Sequence, residues 1–174
     1  VPHPDGAICE DLPLAIDEIG HGLVEADGMA GVPNQCLINS YLPGQGIDAH
    51  CDGPRFESEV AILTLEGPAL MYFGLVEKKA YPLHPPRLEV LLEPRSLLLM
   101  SRDAYELYVH RIDHVEVDIT RAGEKIPRAP RRTSLTLRRL KDVLLESKAV
   151  KDEATRSAKD AQWQWWNSQI SEID

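Results

Sequence analysis

The chain opens with a helical pattern of apolar residues. Within residues 12–26, Leu14, Ile16, Ile19 and Leu23 recur near helical spacing, which predicts a helix there despite two glycines. The residues that follow, 28–34, contain Gly and Pro and end the helical pattern.

From residue 35 to residue 140 the pattern changes to short apolar or alternating runs separated by Pro and Gly, which is typical of β-strands. Seven strands are predicted, at 35–42, 59–65, 69–74, 87–93, 96–101, 105–112 and 131–140. Short strands at this spacing indicate a β-sandwich or a barrel. Two loops are also predicted, at 77–86 and 120–130.

The composition changes again towards the C-terminus. Residues 142–174 are charged and contain neither Pro nor Gly, so we expect a helical tail. Trp163, Trp165 and Trp166 are expected to pack this tail onto the body, and partner binding or base stacking is the alternative. The pattern therefore predicts three regions: an N-terminal helix with turns at 1–34, a β-rich core at 35–141 and the tail at 142–174.

The bulk composition narrows the functional classes. A length of 174 residues with 43% hydrophobic residues suits one domain with a hydrophobic core. The formal net charge of −9 argues against broad non-specific nucleic-acid binding, which relies on neutralising phosphates, although residues 128–141 form a local basic patch. No apolar stretch approaches the roughly 18 residues that a membrane span needs, so no membrane partner is expected.

The cysteines indicate a compartment for the protein, and the first residue indicates processing or truncation. Cys9, Cys36 and Cys51 form no C-x-x-C pair and cannot all be bridged. Reduced thiols are therefore expected, which indicates an intracellular protein of the cytoplasm, the nucleus or both. The chain begins with Val1 and shows no signal peptide, so we expect a fragment or a processed product.

A candidate metal site begins at the sequence HCDG, residues 50–53, which follows the Gly-rich turn at 43–46. Residues i and i+2 of a strand share a face, so His50 and Asp52 are predicted to project together towards one cation. An H-x-D pair is weak evidence by itself. A mononuclear non-haem Fe(II) oxygenase needs a second histidine from a distant strand and leaves positions open for co-substrate and O2.

Two histidines compete for that second place. His110 lies in the strand predicted at 105–112, and His114 follows four residues later. Positions i and i+4 of an extended strand lie about 13 Å apart, so only one of the two can bind the same metal. His84 is expected to be solvated in a loop, and His3 and His21 are expected to be structural or surface residues.

The strand predicted at 131–140 indicates an anion site. One face is predicted to carry cations and hydroxyls, from Arg132, Ser134, Thr136 and Arg138. The opposite face is mainly apolar, with Thr133, Leu135 and Leu137. Two interpretations are open at this point: a solvated outer surface, or a pocket in which arginine binds a carboxylate through two parallel hydrogen bonds. Asn39 and Tyr41 share a face of the strand at 35–42.

The ordered combination of motifs N-x-Y, H-x-D, H-x-I and R-x-S-x-T-x-R resembles the AlkB family of Fe(II)/2-oxoglutarate-dependent dioxygenases. The strings INSYLPGQGIDAHCDGP, LLEPRSLLLMSRDAYELYVHRI and RRTSLTLRR are similar to its sixth-homologue branch in particular. The resemblance runs from about residue 12 to residue 141. It implies a mainly β fold, a double-stranded β-helix (jelly roll) with flanking helices.

The resemblance also implies roles for single residues. Fe(II) is expected on His50, Asp52 and His110, which would form the catalytic centre. His110 is favoured over His114 because Ile112 follows it two positions later, as in the family, whereas Glu116 follows His114. Arg132 is expected to pair with the distal carboxylate of 2-oxoglutarate. The other residues expected to bind this co-substrate are Asn39, Tyr41, Ser134 and Arg138, with Ser134 standing where many relatives carry asparagine.

The implied reaction consumes 2-oxoglutarate and O2, releases succinate and CO2, and hydroxylates a C–H bond. On an N-methyl group the hydroxylated product collapses to formaldehyde. A methylated nucleic acid is the expected substrate, although proteins and small molecules stay open. The family has further strands and a nucleotide-recognition lid upstream of the region where this chain begins, so substrate binding is expected to be incomplete. A catalytically silent jelly-roll module of the cupin or lectin type and a non-functional fragment are the alternatives.

Overall fold

The computed structural model describes residues 11–75 and 88–141. The predicted loop at 77–86, which includes His84, and the predicted tail at 142–174, with its three tryptophans, lie outside the described residues, as do His3 and Cys9. The described residues fall within one compact unit, 10–141. Neither described helix is long and apolar enough to cross a membrane.

The N-terminal helix α1 spans Leu14–Glu25, close to the predicted bounds. It begins after Pro13, whose carbonyl accepts hydrogen bonds from the backbone N–H groups of Ile16 and Asp17. Proline is favourable at a helix start because its missing N–H would have no partner there. The buried side chain of Leu23 packs the helix against one sheet, in a cluster with Met29, Ala61 and Leu137.

After α1 the described residues form ten strands, with one short helix between the sixth and the seventh. The first five are β1 (Gln35–Tyr41), β2 (Ile47–His50), β3 (Phe56–Glu66), β4 (Ala69–Leu75) and β5 (Leu88–Leu92). The remaining elements are β6 (Leu97–Ser101), α2 (Asp103–Glu106), β7 (Tyr108–Ile112), β8 (Val117–Ile119), β9 (Lys125–Pro127) and β10 (Arg132–Leu140). Each of the seven predicted strands has a counterpart among these.

The strands form two four-stranded antiparallel sheets and a separate hairpin. The first sheet has the order β1-β10-β3-β6, the second has the order β2-β7-β4-β5, and β8 pairs with β9. Apolar side chains of both sheets form the main core, with Val60, Ile62, Met71, Phe73, Met100 and Ile112 among them. Two facing antiparallel sheets with crossover connections confirm the predicted mainly β, jelly-roll class.

Three of the described strands, β2, β8 and β9, lie outside the seven predicted ones, and one predicted strand begins later than expected. The strand predicted at 105–112 begins only at Tyr108, because Arg102 adopts a positive φ of 53° and the chain then makes the helical turn α2. The loop predicted at 120–130 contains β9, and β8 precedes it; three residues are too few for alternation to be recognised. The buried Arg128–Asp118 ion pair fixes this hairpin.

Candidate active site

One pocket between the two sheets contains every residue that the sequence predicts for the site. The predicted residues that line it are Asn39, Tyr41, His50, Asp52, His110, Arg132, Ser134 and Arg138. The rest of the lining is mainly apolar and comprises Leu37, Ile47, Ile62, Met71, Ile112 and Thr136. Convergent polar groups set among apolar walls are typical of small-molecule sites.

Strand β10 supplies the cationic wall of the pocket through simple alternation. Arg132, Ser134, Thr136 and Arg138 all line the pocket, which confirms the predicted polar face. On the opposite face Leu137 is fully buried and packs in the cluster beneath α1. The strand lies between β1 and β3, so it is hydrogen-bonded on both sides and its side chains have little freedom to turn away.

Arg132 lies at the start of β10, only 3% exposed. Its Nη1 donates to Ser134 Oγ at 2.8 Å, and its Nη2 donates to Thr64 Oγ1 at 3.4 Å. The guanidinium carbon lies 5.8 Å from the centre of the Tyr41 ring. These partners are hydroxyls and an aromatic face, and none of them is an acid.

The charge of Arg132 has no counter-ion in the part of the chain that the structure describes. No described carboxylate lies within ion-pair distance of it, and its buried Nε has no hydrogen-bond partner there. Burial lowers the pKa of Arg132, and burial also raises the pKa of the neighbouring Tyr41 phenol. A buried cation is costly unless it is paired. This end of the pocket is therefore suited to an anion from outside the chain.

Two histidines meet at another part of the same pocket. His50 ends β2, His110 lies in β7, and their Cα atoms are direct partners across the antiparallel pair. Their ring centroids are 4.4 Å apart with the planes tilted by 56°. Gly46 permits this pairing, because a Cβ there would overlap the carbonyl oxygen of Ile112. The close approach of β2 to β7 thus brings the two imidazoles together.

The protonation of the two imidazoles favours metal binding. His50 Nδ1 lies 2.8 Å from the carbonyl oxygen of Asp48, which can only accept a hydrogen bond. Nδ1 therefore carries the proton, and the lone pair of the neutral ring is on Nε2. Burial is the main cause that lowers the pKa of His110 to about 4, with its interaction with the His50 imidazole second, so this ring is neutral at pH 7.

Asp52 completes the group from the loop after β2. The predicted same-face geometry of a continuous strand is wrong here, because β2 ends at His50 and the chain turns at residues 54–55. The Asp52 side chain is 5% exposed and still lines the pocket. Its Oδ1 accepts a 2.6 Å hydrogen bond from Arg138 Nη1, and its Oδ2 lies 3.9 Å from His110 Nε2.

The chemistry of these three side chains fits a ferrous ion. Two neutral imidazoles and one carboxylate are the donor set of mononuclear Fe(II) oxygenases. Within residues 11–75 and 88–141, no group of three His, Cys, Asp or Glu side chains already has the geometry to hold a metal ion.

The other described histidines lie outside the pocket lining. His114 is 54% exposed and its Nε2 lies 3.4 Å from Asp48 Oδ1. His21 is 60% exposed and faces Asp17 one turn away on α1. The structure therefore brings His110 next to His50 and Asp52, and places His114 in a solvated contact.

Three residues outside the predicted set contact predicted site residues, and a fourth contacts Gly53, next to Asp52. Gln35 and Phe56 contact Arg138, Thr64 contacts Arg132, and the Tyr105 hydroxyl donates to the carbonyl of Gly53 at 3.3 Å. Alternation indicated one of them: Gln35 lies four positions before Asn39 on the same strand and so shares its face. The other three contacts depend on how separate elements pack.

Residues 2–138 match the family model described as the 2OG-Fe(II) oxygenase superfamily. The chain belongs to this superfamily. It is 29% identical to the zebrafish (Danio rerio) "Probable RNA/DNA demethylase ALKBH6" over 83% of this chain and 69% of the relative. It is 38% identical to the Macaca fascicularis "tRNA (carboxymethyluridine(34)-5-O)-methyltransferase ALKBH8" over 53% of this chain but only 13% of that protein.

A solved structure shows the same fold. OsALKBH1 aligns with a TM-score of 0.51 and 21% identity, covering 79% of this chain and 69% of that one. Together with the sequence relatives, this confirms the predicted resemblance to the AlkB family. Superfamily membership also confirms the predicted class, a 2-oxoglutarate-dependent dioxygenase that uses Fe(II), 2-oxoglutarate and O2.

Proposed function

We propose that His50, Asp52 and His110 hold Fe(II), and that Arg132 binds the distal carboxylate of 2-oxoglutarate in the same pocket. The observation that carries this proposal is the buried Arg132, which has hydroxyl partners but no counter-ion within the described residues. A dicarboxylate would supply the missing negative charge and could accept two parallel hydrogen bonds from the guanidinium. The fixed fork of arginine suits this task better than the point charge of lysine.

Other polar residues of the pocket orient the same co-substrate. Asn39 Nδ2 donates to Thr136 Oγ1 at 3.2 Å, which fixes the amide across β1 and β10. The Tyr41 ring packs against the guanidinium of Arg132. Ser134 is 1% exposed and accepts from Arg132, so its contribution is to hold that side chain in place. Arg138 also lines the pocket, and its Nη2 makes no hydrogen bond to a described residue.

Fe(II), when bound, supplies the redox chemistry that uses O2 and the electrons released by decarboxylation of 2-oxoglutarate. The chain supplies the donor groups, with His110 neutral at pH 7 and Asp52 Oδ1 held by a hydrogen bond from Arg138. The apolar wall of Ile62, Met71 and Ile112 limits the access of water. These roles are positioning and electrostatics, which is what the protein contributes in cofactor enzymes.

We propose that the substrate is a methylated nucleic acid. The support is the similarity to a relative named as a probable RNA/DNA demethylase and to relatives named for a tRNA modification. Hydroxylation of an N-methyl group would give a hemiaminal that releases formaldehyde. A base in a duplex must leave the stack to reach such a pocket. The net charge of −9 favours recognition of a few nucleotides over an extended phosphate contact.

Succinate and formaldehyde measured together test both halves of this proposal. The chain is incubated with Fe(II), 2-oxoglutarate and O2, alone and with methylated RNA, DNA, nucleosides or peptides. We expect slow succinate release without substrate, and formaldehyde in proportion to succinate only with a nucleic-acid substrate. Coupled formaldehyde from peptides alone would overturn the substrate proposal. Absence of succinate from a chain that binds the metal and 2-oxoglutarate would favour the silent module.

A further inference from the structure

Arg138 is held in one orientation by residues that have no part in the catalytic assignment above. Its Nε donates to Gln35 Oε1 at 3.0 Å, across the register pair that joins β1 to β10. Its guanidinium carbon lies 4.2 Å from the centre of the Phe56 ring. Its backbone carbonyl accepts a hydrogen bond from the Asn34 N–H at 3.1 Å. The side chain is only 13% exposed as a result.

These contacts determine where the planar guanidinium points. Arginine has several rotatable bonds and loses much rotamer freedom when it is held. Gln35 fixes the Nε edge of the group, and Phe56 fixes its plane through a cation–π contact. With edge and plane both fixed, Nη1 is directed at Asp52 Oδ1, at 2.6 Å.

The two oxygens of Asp52 consequently have different surroundings. Oδ1 accepts from Arg138, whereas Oδ2 lies 3.9 Å from His110 Nε2. A carboxylate with one oxygen held in this way cannot rotate freely and presents the other oxygen to the histidine pair. Groups that orient a metal ligand in this manner typically change metal affinity about 10- to 100-fold when removed.

We propose that Gln35 and Phe56 are positioning residues, which act through Arg138 to select the Asp52 oxygen that faces the metal site. The inference rests on the proposed metal site. Gln35 at the start of β1 and Phe56 at the start of β3 would thus affect metal affinity. Both residues contact Arg138 rather than the proposed ligands. Because both residues act one contact further out than Arg138, we expect about a 5-fold effect from each.

The proposal is tested in the full chain by an anaerobic Mn(II) titration, in which the EPR signal of free Mn(II) measures binding. Gln35→Leu and Phe56→Leu are each expected to weaken Mn(II) binding about 5-fold. Phe56→Tyr keeps the aromatic face and is expected to bind like the wild type. Thr133→Val is the matched control, because it removes a cross-strand hydrogen bond between β10 and β3 that points away from the pocket.

A double-mutant cycle separates positioning from a general loss of structure. In an Arg138→Met background, Gln35→Leu and Phe56→Leu should have no further effect on Mn(II) affinity, because the side chain through which they act is gone. Additive losses in that background would overturn the proposal, as would unchanged affinity in the single variants. Failure of the wild type to bind Mn(II) at all would instead overturn the proposed metal site, so the two failures are distinguishable.

Discussion

Arg132 and Arg138 are the same residue type, six positions apart on the same face of β10, and yet their surroundings are opposite. Arg138 has a carboxylate, an amide oxygen and an aromatic ring as partners. Arg132 is more deeply buried but has two hydroxyls and the Tyr41 ring. One charge is balanced within the described chain, and the other is not.

This difference shows how the pocket divides its tasks. A guanidinium that is paired with a carboxylate has its charge compensated and serves to orient that carboxylate. A buried guanidinium without an acid keeps a large desolvation cost, which an incoming anion can offset. We therefore expect variants at the Asp52 side to change metal affinity, and variants at the Arg132 side to change 2-oxoglutarate affinity.

The largest effect is expected from the proposed metal ligands. His50→Ala, Asp52→Ala and His110→Ala should each weaken anaerobic Fe(II) or Mn(II) binding by about 100-fold or more, because each removes one of only three donors. Isothermal titration of the metal measures this directly. His114→Ala is the control, since that exposed ring contacts only Asp48 among the described acids. Loss of metal in His114→Ala but not in His110→Ala would reverse the assignment of the distal ligand.

The next largest effect is expected at Arg132, where we propose that 2-oxoglutarate binds. Arg132→Ala should raise the KM for 2-oxoglutarate about 50-fold, equivalent to about 2 kcal/mol, because charge-assisted hydrogen bonds are the strong ones. Metal affinity should change little. Arg132→Lys should recover only part of the loss, because an ammonium lacks the two-donor fork.

Arg131→Ala is the matched control for Arg132→Ala, because the Arg131 side chain is exposed. Succinate formation at varied 2-oxoglutarate gives the KM of all four proteins. An unchanged KM in Arg132→Ala would locate the anion site elsewhere.

A smaller effect should follow from moving the backbone of Arg132. Gly67 has a φ of 70°, and a Cβ there would lie 2.8 Å from Arg132 Cα and closer still to the Arg131 carbonyl oxygen. Gly67→Ala should therefore displace the start of β10 and raise the KM for 2-oxoglutarate about 10-fold, besides a stability loss of about 1 kcal/mol or more. Gly123→Ala separates the two causes, because Gly123 has a φ of 84° with open space around it.

Gly123→Ala should lower the melting temperature without changing the KM. Differential scanning calorimetry and succinate assays on both variants give the comparison. If Gly123→Ala raised the KM as much as Gly67→Ala, backbone strain rather than the position of Arg132 would be the cause.

The smallest effect is expected at Thr64, which is fully buried and accepts a 3.4 Å hydrogen bond from Arg132. Thr64→Val preserves the shape and removes only the hydroxyl. The KM for 2-oxoglutarate should rise about 3-fold, since a long hydrogen bond of this kind contributes less than about 1 kcal/mol. Metal titration should give an unchanged affinity. A loss of metal affinity without a change in KM would show that the two ends of the pocket are not separable.

The sequence predicts those parts of the site that depend on alternation within a strand. The pocket-facing residues Arg132, Ser134 and Arg138 follow from period two along β10, and Asn39 and Tyr41 follow from the same period along β1. The choice of His110 came from the family resemblance, and the structure places that ring beside His50. The roles of these residues as ligands stay predictions.

The contacts between elements could not be read in the same way. The pairing of Arg138 with Asp52 joins residues 86 positions apart, and the stacking of Arg138 on Phe56 joins β10 to β3. The first depends on the packing of the two sheets, and the second depends on the register in which β10 pairs with β3. Hydrophobic periodicity specifies neither. The three-residue strands β8 and β9 were missed for a related reason, because the buried Arg128–Asp118 pair fixes them rather than an alternating pattern.

The pairing of His50 with His110 has a consequence for the lifetime of the folded chain. The two residues are direct neighbours on β2 and β7 although sixty positions separate them, and β2 is a four-residue strand at the edge of its sheet. An ion shared by both imidazoles would therefore act as a reversible cross-link that closes a long loop, much as a disulfide does. Iron supply would then govern the unfolding rate, and with it resistance to proteolysis, as well as turnover.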